Sequence, residues 1–226
     1  KFFDVVTYTG DGASSQAIAH NLGSAPGFFV VKQIGGFPSF WRCYHSALGA
    51  GAEIYLQATT ASTDSTQAWN STAPTATVFT VGANSNQSGR EFVVYLFASD
   101  AGGFGEDGTE SIIKCGSYTG NGSTDGPVVD LGFEPQWLMI KRTEYGTTEN
   151  WPIYDNMRGM AVGGTDTILI ANGSNSESSY AGQNDFDLTA TGFKLVNNSG
   201  RVNASGNNYI YIAIRRPMKT PESGTE

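Results

Sequence analysis

Charged side chains are scarce in this sequence. Asp, Glu, Lys and Arg make up 15% of its 226 residues, against about 25% in an average soluble domain. The net charge is −8, and no cluster of Lys or Arg is present to neutralise phosphate groups. The sequence therefore disfavours nucleic acid and anionic membrane surfaces as partners. It also contains no apolar run that approaches the roughly 20 residues of a membrane-spanning helix.

Residues that build metal and catalytic sites are few as well. The chain has two cysteines, Cys43 and Cys115, and two histidines, His20 and His45. Their spacing matches no zinc site, and the Gly-x-Ser-x-Gly and Asp-x-Asp-x-Asp-Gly motifs are absent. We therefore predict a protein that is not an enzyme, with no catalytic residue, no metal site and no cofactor. The cysteines are interpreted as small apolar residues, with a disulfide between the two copies described below as the alternative.

What the sequence does contain is a short signature that occurs twice. Tyr-Thr-Gly-Asp-Gly at residues 8–12 returns as Tyr-Thr-Gly-Asn-Gly at residues 118–122, and we name each copy the YTG signature. Later blocks match in the same order, with insertions in the second copy: 28–32 with 137–141, 41–44 with 151–154, 79–81 with 193–195, and 92–95 with 209–212. Such self-similarity predicts two copies of one module.

The pattern within each copy is that of short strands joined by Gly-rich turns. Runs at 28–33 and 136–142 are almost continuously apolar, which is typical of central strands buried on both faces. We predict an all-β chain of two tandem, internally duplicated antiparallel β-sandwich modules of jelly-roll-like type. The expected boundaries are module 1 at 1–99, a Gly-rich acidic linker at 100–111, module 2 at 112–217 and a polar tail at 218–226.

The YTG signature has two interpretations, a ligand site or a structural turn. Its glycines are too few for a phosphate loop, and no Lys-Ser/Thr pair follows them. A strand that ends in a turn, with Gly supplying a positive φ, accounts for the same residues and is favoured.

Paired carboxylates offer another possible site. Glu149 and Asp155 flank a predicted strand, but six extended residues separate them by about 20 Å, too far for a glycosidase pair. Asp155 with Arg158 predicts a local ion pair or a turn cap, and the alternative is that these two residues contact a ligand or partner.

Two polar loops are the remaining candidates for binding. Loops 58–76 and 172–184 are long, rich in small hydrogen-bonding residues, and contain one aromatic anchor each, Trp69 and Tyr180. We predict that these anchors contact a partner or ligand, as rigid aromatics do in paratopes. The alternative for Trp69 is that it covers the core of its own module. Trp41 and Trp151 lie in equivalent strands, which predicts core packing for both.

The segments 116–126 (GSYTGNGSTDG) and 131–142 (LGFEPQWLMIKR) resemble a repeated module of tailed-bacteriophage structural proteins, especially those of aquatic phages. The blocks WPIYD at 151–155, Arg-Gly at 158–159, GFKL at 192–195, Val-Asn at 202–203 and YIYIA at 209–213 complete the pattern. The resemblance covers residues 2–217, although the first copy has His45 at the position of Asp155 and lacks the Arg-Gly pair.

The resemblance implies a non-enzymatic virion protein on the particle exterior, of tail-fibre or capsid-decoration type. Its partners would be other virion proteins and further copies of itself, as a homo-oligomer. A pair of carbohydrate-binding modules that recognise host surface glycans is the second hypothesis. The third hypothesis is a polysaccharide-degrading tail enzyme.

Overall fold

The structure is a computed structural model in which almost all regular elements are strands. It describes residues 1–36, 38–144, 148–160, 162–179 and 184–215. The strands are β1 (Phe3–Thr9), β2 (Ser15–Ala19), β3 (Pro26–Ile34), β4 (Arg42–His45), β5 (Ala52–Tyr55), β6 (Thr63–Asp64), β7 (Val78–Gly82), β8 (Glu91–Ala98), β9 (Ile113–Thr119), β10 (Val128–Asp130), β11 (Pro135–Arg142), β12 (Pro152–Asp155), β13 (Thr167–Ile170), β14 (Ser178–Ser179), β15 (Phe186–Thr189), β16 (Gly192–Leu195) and β17 (Asn208–Arg215). One short helix, α1 (Thr66–Trp69), and a 3-10 turn (Ala83–Ser85) are the helical elements of the described residues.

The two copies have the same strand order. Sheet I has six strands in the order β1-β8-β3-β4-β5-β6, and sheet II has six in the order β9-β17-β11-β12-β13-β14. A small sheet accompanies each large one, β2-β7 in module 1 and β10-β16-β15 in module 2. Every strand pair in the described residues is antiparallel. The prediction of an all-β, sandwich-like antiparallel fold is therefore confirmed.

Strand register locates the first insertion in the second copy. Tyr44 and Tyr154 occupy equivalent places, opposite Phe29 and Leu138, and are 110 residues apart. One strand further on, Ile54 pairs with Cys43 and Leu169 pairs with Ile153, and Ile54 and Leu169 are 115 residues apart. The connection between β12 and β13 therefore carries the extra residues.

Among the residues that the structure describes, buried apolar side chains form three clusters rather than two. One lies between sheet I and its small sheet and includes Phe79 and Val94, and a second lies between sheet II and its small sheet and includes Phe193 and Leu138. The third, the inter-sheet cluster, joins the two large sheets face to face and consists of Phe28, Val30, Cys43, Ile54, Ile113, Cys115, Met139, Trp151, Ile210 and Ile212. The molecule is thus four layers deep, with sheets I and II in the middle.

This layering explains the continuous apolar runs. Successive residues of a strand point to opposite faces, and both faces of the central strands are covered, one by a small sheet and the other by the second large sheet. Apolar residues of β3, β8, β11 and β17 are accordingly buried: Val30, Val94, Leu138, Ile140, Ile210 and Ile212. Cys43 and Cys115 are buried and free, so the disulfide alternative is wrong.

Hydrogen bonds also cross between the two copies. His45 Nε2 lies 3.0 Å from the carbonyl oxygen of Tyr211, and Trp151 Nε1 donates to the carbonyl oxygen of Tyr55 at 3.0 Å. Further contacts are made by Lys141 Nζ to Thr59 O, by Ser62 Oγ to Thr143 O, and by Cys115 N–H to Ser99 Oγ. Because several of these groups are buried, separating the sheets would leave polar atoms without partners.

The segment between the copies folds against the end of β17. Phe104 and Glu110 form an isolated antiparallel bridge. The guanidinium of Arg215 lies 2.6 Å from a carboxylate oxygen of Glu110 and 5.3 Å from the ring centre of Phe104. In the described part of the chain, no helix is long and apolar enough to cross a membrane.

Candidate functional site

Each YTG signature fastens the end of its first strand to a distant loop. Tyr8 Oη donates to the carbonyl oxygen of Ser85 at 2.5 Å, and Tyr118 Oη donates to that of Val202 at 2.7 Å. The two tyrosines are equivalent, and so are their acceptors. Burial raises the pKa of both phenols above the usual range, so these groups act as neutral donors.

A buried Asn completes each of these contacts. Asn86 Oδ1 accepts the backbone N–H of Asp11, and its Nδ2 donates to the Asp11 carboxylate and to Ala13 O. Asn203 makes the corresponding bonds to the backbone N–H and side chain of Asn121. We name this arrangement the Asn clasp. Neither Asn86 nor Asn203 was predicted from the sequence as a functional or structural residue, although Asn203 lies in the Val-Asn block at 202–203.

Close backbone approach explains the glycines of the signature. A Cβ on Gly10 would collide with the carbonyl oxygen of Gln87, and a Cβ on Gly120 would collide with that of Ala204. The later glycine of the second copy, Gly122, has φ +69°, a backbone conformation that residues other than Gly rarely adopt. The signature is therefore a structural turn, as favoured from the sequence.

Asp155 and Arg158 form the local turn cap that their spacing predicts. Asp155 Oδ1 accepts the backbone N–H groups of Met157 at 3.1 Å and Arg158 at 3.0 Å, and its Oδ2 is paired with the Arg158 guanidinium. Arg158 Nε also donates to Glu177 at 3.0 Å. Asp155 is buried, so its oxygens serve the fold. Arg158 is partly exposed. Contact with a ligand or partner therefore stays a prediction for Arg158 and not for Asp155.

Trp69 does not lie on the surface, which corrects its prediction as a loop anchor for a partner. It ends α1, is fully buried, and donates from Nε1 to the carbonyl oxygen of Ala52 at 2.9 Å. Its ring packs edge-on against Tyr44, as Phe186 packs against Tyr154 in the second copy. Trp69 therefore draws the polar loop onto the core. Tyr180 lies outside the described residues.

A buried polar cluster marks the second copy. Asp185 accepts from Tyr154 Oη at 2.6 Å, from Arg201 Nε at 3.0 Å and from Asn197 Nδ2 at 3.2 Å. Asp166 Oδ2 accepts the N–H of Asp185 at 2.6 Å, while its Oδ1 is buried without a hydrogen-bond partner among the described residues. Burial raises the pKa of Asp166 to about 7. The oxygens of Asp185 are used by protein donors, which assigns the cluster a structural role.

The accessible candidate site is a cleft between sheets I and II. It measures about 260 Å³ and we name it the inter-sheet cleft. Its lining comprises Phe28, Val30, Trp41, Leu56, Tyr95 and Phe97 from module 1 and Trp137, Met139, Ile153, Ala171 and Ile212 from module 2. This lining presents only apolar surface, so the cleft suits a hydrophobic group and offers nothing to orient hydroxyls.

Trp41 lies at this cleft, which corrects the prediction that it packs in the core as Trp151 does. Its side chain is 37% exposed, whereas Trp151 is 1% exposed. The two positions are equivalent in the strand order, but Trp151 is covered by Tyr55 of the facing sheet. Trp41 instead contacts Lys32, whose Nζ is 5.6 Å from the indole centre. Sheet packing, not strand position, sets the exposure of these two residues.

A second, more polar cleft lies on the other side of sheet I. The exposed ring of Phe40 and the ring of Tyr55 each lie 5.4 Å from the Arg42 guanidinium, which pairs with buried Glu53. We name this the Phe40 cleft, which has a volume of about 180 Å³ and includes Gln33, Asn84 and Gln87 in its lining. The second copy lacks the set, since Asn150 and Pro152 replace Phe40 and Arg42.

Among the described residues, no group of three or more His, Cys, Asp or Glu side chains is placed to hold a metal ion.

Comparison with known proteins assigns a family to the chain. Neither a curated protein nor a solved structure matches the chain. Residues 2–217 match the family described as Domain of unknown function (DUF7483), and the chain belongs to that family.

Proposed function

We propose that this chain is a non-enzymatic structural protein of a bacteriophage virion, exposed on the particle as a tail-fibre or capsid-decoration component. The resemblance of residues 116–142 and the blocks that follow to tailed-phage structural modules motivates the proposal. The observation that carries it is the inter-sheet cleft, an exposed site whose lining is apolar and comes from both copies. Such a lining fits a hydrophobic side chain of a neighbouring protein.

The way the two copies are joined supports a structural role. A shared apolar cluster and buried hydrogen bonds hold sheets I and II together. The two copies therefore form one body rather than two independent domains joined by a linker. Polar groups buried in the second copy are held by ion pairs such as Arg201 with Asp185. A rigid unit of this kind suits a protein that binds neighbouring proteins on a particle surface and holds them in a fixed orientation.

Recognition of host glycans is the second candidate function, and the Phe40 cleft favours it. Sugar sites combine an aromatic surface with amide and charged groups that orient the ligand, and this cleft offers an exposed Phe40 beside Arg42, Gln33 and Gln87. The second copy has Asn150 and Pro152 in place of Phe40 and Arg42, so the fold that the copies share does not account for this cleft.

Phe40 and Trp41 provide a matched pair of variants to separate the two functions. They are neighbours in sequence that line opposite clefts. For the virion function, the parent particle would be purified and searched for the chain by mass spectrometry, and incorporation would be compared for Trp41→Ser and Phe40→Ser. We expect the chain in the particle and a loss of incorporation for Trp41→Ser alone.

Binding of the pure protein to a glycan array tests the second function, with loss expected for Phe40→Ser and not for Trp41→Ser. Absence of the chain from purified particles would refute the virion proposal. Release of reducing sugar from host polysaccharide by the pure protein would refute the non-enzymatic assignment and support the tail-enzyme hypothesis.

A further inference from the structure

Strand β1 leaves one side of its backbone open. It lies at the edge of sheet I and pairs only with β8 among the described residues. The N–H of Ala98 donates to the carbonyl oxygen of Phe2. The backbone N–H and C=O groups of even-numbered residues in this segment therefore point toward β8. Because the bonding direction alternates along an antiparallel strand, the N–H and C=O groups of Phe3, Val5 and Thr7 point away from the sheet.

The open edge also carries exposed apolar side chains. Phe3 and Val5 are 42% and 48% exposed, and they lie opposite Phe97 and Tyr95 on β8. The Phe3 ring is 5.0 Å from that of Phe97 and 6.5 Å from that of Tyr95. We name these four residues the β1 strip. The strip continues into the inter-sheet cleft, since Tyr95 and Phe97 line both.

The second copy shows what normally covers these positions. The residues equivalent to Phe3 and Val5 are Ile113 and Cys115, which are 5% and 8% exposed. Both belong to the inter-sheet cluster, where module 1 covers them. The β1 strip is therefore continuous with an existing interface of the molecule and has the same strand position as its covered counterpart, but no described part of the chain covers it.

Charge does not protect this edge. Natural edge strands are often blocked by Lys, by Pro or by a covering loop. The only charged side chain of β1, Asp4, is buried on the opposite face and is held by Lys1 and by the N–H of Asn21. A long apolar edge without these blocks is suited to pairing with another strand.

We propose that a second copy of this chain occupies the β1 strip, with the two β1 strands paired antiparallel about a two-fold axis and Val5 opposite Val5. In this register each Phe3 lies opposite Thr7 of the second copy, so apolar faces meet and the outward backbone groups of residues 3–7 pair. Lys1 of one copy comes beside Thr9 of the other, while its ammonium keeps its pairing with Asp4. A two-fold contact closes after two copies.

This inference names the homo-oligomeric contact of the proposed virion protein, yet it depends only on the geometry of β1. The dimer proposal and the virion proposal can therefore fail separately. If the protein is a dimer but is absent from particles, the virion proposal is refuted and the dimer proposal stands. If the protein is a monomer but is present in particles, the dimer proposal is refuted and the virion proposal stands.

Disulfide trapping tests the register in the whole 226-residue chain. Residues in a hydrogen-bonded antiparallel pair have Cα atoms about 5.5 Å apart, which a disulfide can span. We expect Val5→Cys to cross-link under mild oxidation. The matched control is Thr7→Cys, whose thiols would be four positions out of register, about 13 Å apart, and unable to bridge. The native Cys43 and Cys115 are buried and do not compete.

Light scattering provides the second arm. The unmodified protein is expected at twice its chain mass of 24.0 kDa, and Val5→Pro at the monomer mass, because Pro removes the central outward donor while remaining compatible with an edge strand. Val5→Thr keeps the N–H and should stay dimeric. If Val5→Pro fails to fold by circular dichroism, the trapping experiment decides. A wild-type monomer at the highest soluble concentration, no cross-link for Val5→Cys, or equal cross-linking of Thr7→Cys would each overturn the proposal.

Discussion

His45 and Asp155 occupy the same position in the two copies and cap the same turn with different atoms. His45 Nδ1 accepts the N–H of Ala47 at 3.1 Å, and Asp155 Oδ1 accepts the N–H of Met157 at 3.1 Å. Because Nδ1 accepts a hydrogen bond, the imidazole proton resides on Nε2, which donates to the Tyr211 carbonyl. The first copy thus gains a bond between the sheets at the position where the second gains an ion pair with Arg158.

The first prediction concerns pH and His45. Burial lowers the pKa of His45 to about 4, below its usual value near 6.5. Between these values the unfolded chain binds a proton that the folded chain does not, so the free energy of unfolding should fall as pH falls from 6.5 to 4. At 1.36 kcal/mol per pKa unit, the loss is up to about 3 kcal/mol.

His45→Asn is the control for this prediction, because Asn can keep the turn cap and does not titrate. Denaturant unfolding of both proteins at pH 7 and pH 4.5 gives the comparison. The stability advantage of the wild type should shrink at the lower pH, and an advantage that does not change with pH would contradict the assignment.

The second prediction concerns Asp166, whose effect has the opposite sign. Burial raises its pKa to about 7, and the nearby Asp185 and Asp187 contribute to the rise. Between about pH 4 and pH 7 the folded chain holds a proton that the unfolded chain has lost, so this residue reduces stability as pH rises through that window, by up to about 4 kcal/mol.

Asp166→Asn keeps an oxygen for the N–H groups of Asp185 and Phe186, which Asp166 accepts in the wild type. The variant should gain stability over the wild type as pH increases from 4.5 to 8, as measured by chemical unfolding at both values. A constant difference between the two proteins would show that Asp166 is already ionised in the folded state at pH 4.5.

The third prediction concerns Trp69. Trp69→Ala should lower the free energy of unfolding by about 3–5 kcal/mol, the usual cost of removing a buried aromatic. Trp69→Phe should cost less, because it keeps the contact with Tyr44 and loses only the bond to Ala52 and some volume. Thermal unfolding measures both. If Trp69→Ala retained wild-type stability and lost binding to particles or cells, the surface role predicted from the sequence would be restored.

The fourth prediction concerns the Asn clasp. Asn203→Ala removes bonds to Asn121, Ser123 O and Asn197 O, and should cost about 2–4 kcal/mol, since each buried group left unpaired costs about 1–3 kcal/mol. Asn86→Ala should behave in the same way in the first copy. Asn21→Ala, at an exposed position, is the control and should change stability by less than about 0.5 kcal/mol. Equal effects of all three variants would refute the clasp.

Much of this fold was predictable because its signals are local. Apolar runs of strand length and Gly-rich turns mark nearly every strand of the large sheets, and the repeated signature at Tyr8 and Tyr118 predicts the duplication. The Asp155–Arg158 cap was also predictable, since both residues lie within one turn. The partners Asn86 and Asn203 were not, because they lie 75 and 82 residues from Asp11 and Asn121, and a single sequence does not indicate such pairings.

The sequence by itself determined the strands, their turns and the two-copy organisation, because backbone preferences and alternation of side chains act over a few residues. Tertiary structure alone decided which faces are covered. Trp41 and Trp151 share a strand position, yet only Trp151 is buried, because Tyr55 of the facing sheet covers Trp151 whereas Trp41 borders the open inter-sheet cleft. Trp69 lies in a polar loop, yet it is buried because a site between Ala52 and Tyr44 accepts its ring. Exposure depends on what packs opposite, and that partner comes from a distant part of the chain.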